Sequence, residues 1–300
     1  MTGHDDAAQV VLALTNRLVD VGVAPLRASE LWPLLASIDD PTRLVGRPAA
    51  DLTADLGIEA HQADRIARLL DSGLALAVRL DSLHERGIWT LTPFDAAYPA
   101  LLRDRLGSGA PPVLYGAGDA ALLQALGVGI VGSRETSAAG LDVARAAAAV
   151  AAGAGRPVVS GAAGGVDPAA LRAADDAGGS ALGVVAGGLE LAISRADDRR
   201  ALLAGRLCLA TPYPPDARVT DANATGRSRI IYALSRVTLV VACEDGTGRT
   251  WAGATEALDQ GHGPVAVWRG AGEGPGNASL ETRAARPVAD LAELLAPETP

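Results

Sequence analysis

The fold of this chain is decided by residues 127–167, which read GVGIVGSRETSAAGLDVARAAAAVAAGAGRPVVSGAAGGVD. Two short apolar runs rich in valine, Val128–Val131 and Pro157–Ser160, flank a long alanine-rich segment, and glycines follow each run directly. Short apolar runs of this kind predict buried strands, and the alanine-rich segment Ala138–Ala154 predicts a helix between them. The strand–helix–strand order therefore predicts two parallel strands joined by a crossover helix.

The same alternation of strands and helices continues towards the C-terminus. Further strands are predicted near Leu182–Ala186, Leu207–Ala210, Thr238–Cys243 and Val265–Trp268, and further helices near Pro168–Ala177, Asp197–Ala204, Arg229–Ser235 and Trp251–Gln260. Such an alternation is typical of an α/β fold with a mostly parallel sheet covered on both faces. In these folds ligands bind at the carboxyl ends of the strands, which is where the glycines of this sequence lie.

Two other segments flank this region. Residues 5–80 carry apolar positions at helical spacing, and we interpret residues 1–82 as a small helical N-terminal domain that precedes a larger domain at residues 83–270. Residues 271–300 begin with several glycines, and they predict a flexible linker that ends in a short helix around Val288–Leu295.

The composition excludes several classes of chemistry. All 26 basic residues are arginine, so the chain lacks the lysine that P-loop, Schiff-base and pyridoxal enzymes require. Against 35 acidic residues they give a net charge of −9, which argues against a surface that coats nucleic acid generally and confines any such site to a local patch. Residues 1–127 carry 10 arginines and 16 acids, so protein contact is favoured over DNA contact for the helical domain.

The cysteines and the N-terminus indicate a cellular setting. Cys208 and Cys243 lie in apolar stretches and predict two buried thiols in a reducing compartment rather than a disulfide or a metal site. Residues 1–9 do not resemble a secretory signal and no window is long and apolar enough to span a membrane, so a soluble, cytoplasmic protein is expected. The four histidines lack metal-ligand spacing and no known catalytic motif is present, so neither a metal nor a catalytic residue is expected.

Glycine loops mark the candidate ligand site. The glycines of residues 127–132 satisfy G-x-G-x-x-G, but they lie within the predicted strand rather than after it, so no nicotinamide or flavin cofactor is expected. The turn Gly132–Arg134 places backbone N–H groups, a hydroxyl and a guanidinium at a strand end, where an anion would bind. The turn Ser160–Asp167 repeats this design, with Asp167 placed to cap the next helix. Tight packing alone would explain either loop, whereas the pair favours a ligand that bears phosphate.

Other polar segments add to this pattern. Residues 226–229, Gly-Arg-Ser-Arg, precede an apolar segment, and they predict that Arg227 and Arg229 lie at a helix entry, where the helix dipole favours anions; a solvated basic turn is the alternative. The arginines between residues 195 and 206 are interleaved with acids and predict a salt-bridged helix face. The loop Glu244–Thr250 either holds a ribose hydroxyl or simply ends a strand, and His262 is expected at the surface.

A series of short motifs in a fixed order resembles the DNA-processing protein A family, also called DprA or Smf. The motifs are Trp89–Thr92, Tyr98–Leu102, Pro111–Gly116, Ile130–Arg134, Val159–Gly161, Gly165–Asp167, Arg227–Ile231, Leu234–Ser235 and Leu239–Val241, and they cover roughly residues 87–269. The resemblance implies that the core of the fold is an extended Rossmann-like domain.

The same resemblance implies a function. The implied protein is non-catalytic and needs no cofactor, binds single-stranded DNA, forms a homodimer and helps to load a RecA-type recombinase during DNA uptake and recombination. The strand contacts that the motifs imply are Gly132, Ser133, Arg134, Ser160, Gly161, Gly165, Arg227 and Arg229. A cationic groove fitted to successive phosphates is a general means of holding a single strand, so the residues agree with the resemblance.

Two other functions stay open on the sequence. One is an enzyme that acts on a nucleoside monophosphate, similar to the phosphoribohydrolases of the same superfamily. Residues Gly246–Gly248 match part of their signature, but the preceding proline is missing and Glu256 is displaced from the position of the catalytic carboxylate. The other is a protein-interaction scaffold that keeps the fold without either ligand, which the acidic composition favours.

Overall fold

The computed structural model describes residues 4–162 and 164–296. The chain forms two compact units: Met1–Arg103 with Gly107–Tyr115 make up the first, and Asp104–Leu106 with Gly116–Pro300 make up the second. In the described ranges, no helix combines the length and the apolar character needed to cross a lipid bilayer. The domain bounds inferred from the sequence stay a prediction.

The first unit is helical, as its apolar spacing predicts. Its elements are α1 (Asp6–Thr15), α2 (Ala28–Ser37), α3 (Ala49–Leu56), α4 (Ala60–Leu70), α5 (Gly73–Glu85), the short strand β1 (Trp89–Leu91) and the start of α6 (Ala100–Leu106). Helix α1 begins where the Asp5 carboxylate accepts a hydrogen bond from the Ala8 N–H at 2.7 Å. Side chains that include Leu14, Leu31 and Ile66 form one buried core for this unit.

A parallel sheet organises the second unit. Its strands are the end of β2 (Leu114–Gly118), β3 (Gly127–Val131), β4 (Val158–Gly161), β5 (Ala181–Val184), β6 (Leu207–Thr211), β7 (Ser235–Val240), β8 (Val265–Trp268) and β9 (Arg286–Val288). Strands β3 to β9 pair in the order β6-β5-β4-β3-β7-β8-β9, and each of these pairs is parallel. The predicted α/β fold with a mostly parallel sheet is therefore confirmed.

The order of the strands reverses direction at β3. From β3 the chain adds β4, β5 and β6 on one side, and it then returns to place β7, β8 and β9 on the other. Strands β3 and β7 are neighbours, with Val128 opposite Val237 and Val131 opposite Val240. In doubly wound sheets, ligands bind in the crevice that forms at such a reversal, beyond the carboxyl ends of the strands.

Helices connect the strands of the second unit. They are α7 (Ala138–Gly153), α8 (Val166–Asp176), α9 (Leu189–Ser194), α10 (Ala196–Leu203), α11 (Asp221–Leu234), α12 (Gly248–Gln260) and α13 (Asn277–Thr282). Helix α7 packs against α8, and its buried side chains include Ala144, Ala147 and Ala148. Small side chains let these two helices approach each other and the sheet closely.

Helix α11 begins earlier than the sequence predicts. It starts at Asp221 rather than near Arg229, because the Thr220 hydroxyl caps it by accepting a hydrogen bond from the Asn223 N–H at 3.1 Å. The first turns of this helix are polar and contain Gly226, so they lack the apolar period that marks a helix in a sequence. Arg227 and Arg229 therefore lie within the helix, not at its entry.

The C-terminal segment is ordered against the sheet and is not a flexible linker. The buried Asn277 side chain donates to the carbonyls of Val241 and Trp268 at 2.9 Å each, and it accepts from the Cys243 N–H at 3.1 Å. A Cβ on Gly274 would come within 2.5 Å of the Cys243 nitrogen, so this glycine serves close packing. Strand β9 then extends the sheet, and the predicted short helix is a 3₁₀ turn at Leu291–Leu295.

The prediction for the two cysteines is confirmed, whereas the prediction for His262 is wrong. Cys208 and Cys243 are both buried and unpaired, as predicted. His262, expected at the surface, is only 8% exposed. Gly261 ends α12 in the left-handed conformation with φ of +69°, which turns the chain back so that the His262 N–H donates to the Ala257 carbonyl.

Candidate functional site

A cavity of about 610 Å³ opens where the sheet reverses direction. Its walls are the loops that follow β3, β4 and β7, one face of α11 and the first turn of α12. The lining residues are Val131–Glu135, Gly164, Asp167, Asp221, Ala224, Arg227, Ser228, Ile231, Tyr232, Glu244, Thr247–Thr250 and Gly253. The cavity therefore lies where doubly wound sheets bind their ligands.

Glycines bring the loops after β3 and β4 into direct contact. A Cβ on Gly132 would come within 2.6 Å of Val166 Cγ2. Gly165 has a φ of +72°, and a Cβ there would overlap the Ser133 carbonyl oxygen. Both positions require glycine for close backbone packing. Gly132 also lines the cavity, together with Ser133.

Arg134 is the exposed cation of the β3 loop. Its side chain lines the cavity and lies over Gly164, where an added Cβ would be 3.7 Å from Arg134 Cγ. Within residues 4–162 and 164–296, Arg134 has no carboxylate partner at ion-pair distance. Its guanidinium is therefore available to a ligand that enters the cavity.

Arg227 lies at the floor of the cavity in a buried ion pair. Its side chain is 7% exposed, and Nη1 lies 3.5 Å from Asp167 Oδ2. A Cβ on Gly161 would overlap both groups, so this glycine makes room for the pair. Burial lowers the pKa of the Arg227 guanidinium, and the Asp167 carboxylate opposes that shift. The predicted cap is wrong, because Gly165 occupies the N-cap of α8 and Asp167 pairs with Arg227.

Arg229 lies on a different face of α11. Its Nε donates to Glu256 Oε1 at 2.9 Å, and this hydrogen bond raises the pKa of the guanidinium. Side chains two residues apart on an α-helix point about 200° apart, so Arg227 and Arg229 cannot converge on one anion. Arg227 lines the cavity, whereas Arg229 does not. A contact between Arg229 and a strand elsewhere stays a prediction.

Arg249 is a cavity residue that the sequence-based prediction missed. It lies in the first turn of α12, and its Nη1 is 2.8 Å from Asp221 Oδ1. Backbone N–H groups in a first helical turn have no partner within the helix, and the helix dipole adds to their attraction for anions. The sequence does place Arg249 between a predicted strand and a predicted helix. That position becomes part of the cavity only because β7 pairs with β3, which the sequence does not show.

Carboxylates line the same cavity as the arginines. The acidic lining residues are Glu135, Asp167, Asp221 and Glu244, against the cations Arg134, Arg227 and Arg249. Two of the carboxylates are engaged, because Asp167 pairs with Arg227 and Asp221 pairs with Arg249. The cavity is thus of mixed charge, and an anion that binds Arg249 competes with Asp221.

The remaining predicted site residues serve packing in this structure. Ser160 is fully buried, and its hydroxyl donates to the Ile130 carbonyl at 2.6 Å, which ties β4 to β3. Ser160, Gly161 and Gly165 are not among the residues that line the cavity. Their contact with a strand stays a prediction. No group of three potential metal-ligating side chains exists in the part of the chain that the structure describes.

Comparisons with known proteins bear on this site. The family model described as DNA recombination-mediator protein A matches residues 89–296. The DNA processing protein DprA of Bacillus subtilis (strain 168) is 32% identical over 190 residues, which are 63% of this chain and 63% of that protein. A DprA relative from Mycobacterium tuberculosis is 34% identical over 235 residues, which are 70% of this chain and 59% of that protein. The chain thus spans less than two thirds of the length of these relatives.

Solved structures show the same fold. DNA processing protein A from Streptococcus pneumoniae has a TM-score of 0.63 at 22% identity, covering 90% of this chain and 97% of that one. DNA processing protein A from Helicobacter pylori has a TM-score of 0.55 at 23% identity, covering 69% of this chain and 94% of that one. The family match spans more than half of the chain and includes every loop of the cavity. The chain therefore belongs to the DNA recombination-mediator protein A family, the DprA family of DNA processing proteins.

Proposed function

We propose that this chain binds single-stranded DNA in the cavity where β3 and β7 meet. The observation that carries the proposal is that Arg134, in the loop after β3, and Arg249, in the first turn of the helix that follows β7, face one cavity at the reversal of the sheet. Membership of a family of DNA processing proteins supports DNA as the ligand. The structure of the relative from Helicobacter pylori is described as giving insight into the way that protein binds single-stranded DNA.

Arg134 and Arg249 lie on two walls of the cavity, an arrangement that suits one phosphate group held between them. A guanidinium donates two parallel hydrogen bonds to phosphate oxygens, so Arg134 holds one side of the group and Arg249, with the first turn of α12, holds the other. The Asp221 side chain is 94% exposed, so releasing it from Arg249 costs little free energy. Arg227 supports the floor of the cavity, because its pair with Asp167 connects α11 to the first turn of α8.

The carboxylates of the cavity predict how binding responds to salt. Glu135 and Glu244 are exposed and line the cavity, so they offset part of the attraction between the arginines and a polyanion. Each phosphate neutralised on a single strand contributes about 0.7 to the slope of log Kd against log salt. We expect binding that is measurable at low ionic strength and weakens steeply as sodium chloride is added.

Fluorescence anisotropy with a labelled thymidine oligonucleotide tests the assignment. The variant Arg134→Gln/Arg249→Gln should bind at least about 100-fold more weakly, because a hydrogen bond to a charged group contributes about 1.5–3 kcal/mol and two are lost. The matched control is Arg199→Gln/Arg200→Gln on α10, which makes the same change of charge at exposed arginines outside the cavity lining. We expect the control to bind within about 3-fold of the unmodified chain. Equal binding by the cavity variant and the unmodified chain would refute the proposal.

The proposal is one of binding without catalysis. Glu256, the carboxylate nearest to the phosphoribohydrolase-like segment, accepts a hydrogen bond from Arg229 and does not line the cavity. A carboxylate held in this way is poorly placed to act on a nucleotide in the cavity. Incubation with AMP followed by an assay for free adenine tests this point, and release of adenine at a rate that depends on Glu256 would favour the hydrolase.

A recombinase partner and a homodimer belong to the same proposal. The description of the family as a recombination mediator supports a role in placing a RecA-type recombinase on the bound strand. The two unpaired cysteines support work in a reducing compartment such as the cytoplasm. Recombinase activity on a strand already coated by single-strand-binding protein should rise when the chain is added.

Analytical ultracentrifugation tests the homodimer. Sedimentation as a single 30.3 kDa species at all concentrations would contradict the homodimer.

A further inference from the structure

A second concave surface lies within the first unit. It is a groove of about 710 Å³ whose walls are the loop Val23–Pro25, the start of α2 and one face of α4. Three arginines line this groove: Arg27, Arg65 and Arg68. The family match begins at residue 89, so it does not cover the groove.

Arg65 is fixed in the wall of the groove. Its Nη1 donates to Glu30 Oε1 at 2.6 Å, and its Nη2 and Nε donate to the carbonyls of Pro25 and Ala24 at 2.7 Å each. The hydrogen bond from Arg65 lowers the pKa of the Glu30 carboxyl, which stays ionised. Because this network ties the loop and α2 to α4, the groove exists before any ligand binds.

Arg27 and Arg68 supply the cations that remain. Both are exposed, and neither has an ion-pair partner among the residues with described positions. Asp64 is the remaining carboxylate of the lining, since Arg65 and Glu30 neutralise each other. The groove thus carries a small positive excess in a part of the chain that is acidic overall. The net charge of residues 1–127 conceals this cluster, because it averages over distant side chains.

The lining favours a phosphate-bearing ligand over a protein. Its apolar members are the small residues Val23, Ala24 and Pro25. Protein interfaces centre on desolvated Trp, Tyr and Arg anchors, whereas this lining has no aromatic anchor of that kind and its unengaged arginines, Arg27 and Arg68, are exposed. Guanidinium groups bind phosphate through charge and hydrogen bonds, and this binding needs no such anchor. We infer that the groove binds backbone phosphates of DNA as a second contact, separate from the cavity of the second unit. The choice of DNA rests on the proposed function, whereas the phosphate chemistry rests on the groove itself.

The salt dependence of strand binding tests this inference. With a 60-nucleotide strand and the full chain, Arg27→Gln/Arg68→Gln should reduce the slope of log Kd against log salt by about 1.4, since each phosphate contributes about 0.7. Arg65 is left in place so that the walls of the groove keep their shape. The matched control, Arg17→Gln/Arg79→Gln, removes two exposed arginines of the same unit that lie outside the groove. The control should leave the slope unchanged, and equal slopes for both variants would overturn the inference.

A second probe separates failure of the groove from failure of the proposed function. Titration calorimetry with inorganic polyphosphate uses the full chain carrying Arg134→Gln/Arg249→Gln, which leaves the groove intact. Heat of binding that disappears when Arg27 and Arg68 are also replaced supports the groove, even if the unmodified chain does not bind the strand and the proposed function fails. Binding that is absent, or that survives the added changes, overturns the inference. Preferential binding of a polyglutamate peptide in the groove also overturns it, in favour of an acidic protein partner.

Discussion

The buried pair of Asp167 and Arg227 allows a quantitative test of how the cavity floor is built. The two side chains are 9% and 7% exposed, and their nearest charged atoms are 3.5 Å apart. Asp167→Ala leaves the Arg227 charge buried without this carboxylate. Breaking a buried pair from one side costs about 3–5 kcal/mol, because the desolvated charge is no longer compensated. In a unit of this size, 1 kcal/mol corresponds to about 2–4 °C, so we expect Tm to fall by roughly 6–20 °C.

Scanning calorimetry at pH 7 measures the effect, with a matched control and a rescue. The control is Asp197→Ala, which removes one partner of a pair with Arg200 whose side chains are 81% and 74% exposed. Such a surface change should move Tm by about 2 °C or less. The rescue is Asp167→Ala/Arg227→Met, which removes both charges and should recover at least about half of the lost Tm. The double variant should also keep strand binding within about 3-fold, because Arg134 and Arg249 remain. A single variant that melts like the unmodified chain, or a double variant whose loss equals the sum of the two single losses, would refute the reasoning.

Changes at Gly161, Asp95 and His262 have measurable consequences. Gly161→Ala should lower the free energy of unfolding by about 3 kcal/mol or more in denaturant titrations, because the added Cβ overlaps the Arg227 guanidinium; a loss below about 1 kcal/mol would contradict this. Burial alone would raise the pKa of Asp95, but hydrogen bonds from His4 and Thr92 outweigh it and leave the pKa below its usual value. The stability that ionised Asp95 contributes is therefore lost as pH falls through its folded pKa, and the Tm advantage over Asp95→Asn should shrink as pH falls below about 4, the usual pKa of an aspartate. Burial lowers the pKa of His262, so the unfolded chain takes up the proton first and stability falls as pH drops below about 6.5; His262→Gln should remove that part of the decline, and identical pH profiles would refute it.

Strands β3 to β8 could be predicted from sequence because their chemistry is local. Runs such as Val128–Val131 combine β-branched side chains with flanking glycines, and the structure places strands there and at the five later predicted positions. The start of α11 could not be found in this way. Its first two turns are polar, and the helix begins where the Thr220 hydroxyl accepts a hydrogen bond from the Asn223 N–H.

The site was only partly predictable, because convergence depends on strand order and helix phase. The β3 loop with Arg134, which the motifs singled out, lines the cavity. Arg229 was expected at a helix entry, but it lies within α11. Arg249 became a site residue once β7 was found next to β3, a neighbour relation that no local pattern contains. The pair of Asp167 and Arg227 joins residues far apart in sequence, so their mutual neutralisation was equally out of reach.

Hydrogen exchange with and without a single strand tests the central claim most directly. If the strand binds in the cavity, peptides that cover residues 132–135 and 247–250 should exchange more slowly in the complex, and the protection should disappear in Arg134→Gln/Arg249→Gln. Exposed backbone at α10, which lies outside the cavity lining, should exchange at the same rate in both states. A strand that binds while both loops exchange as in the free protein would contradict the account.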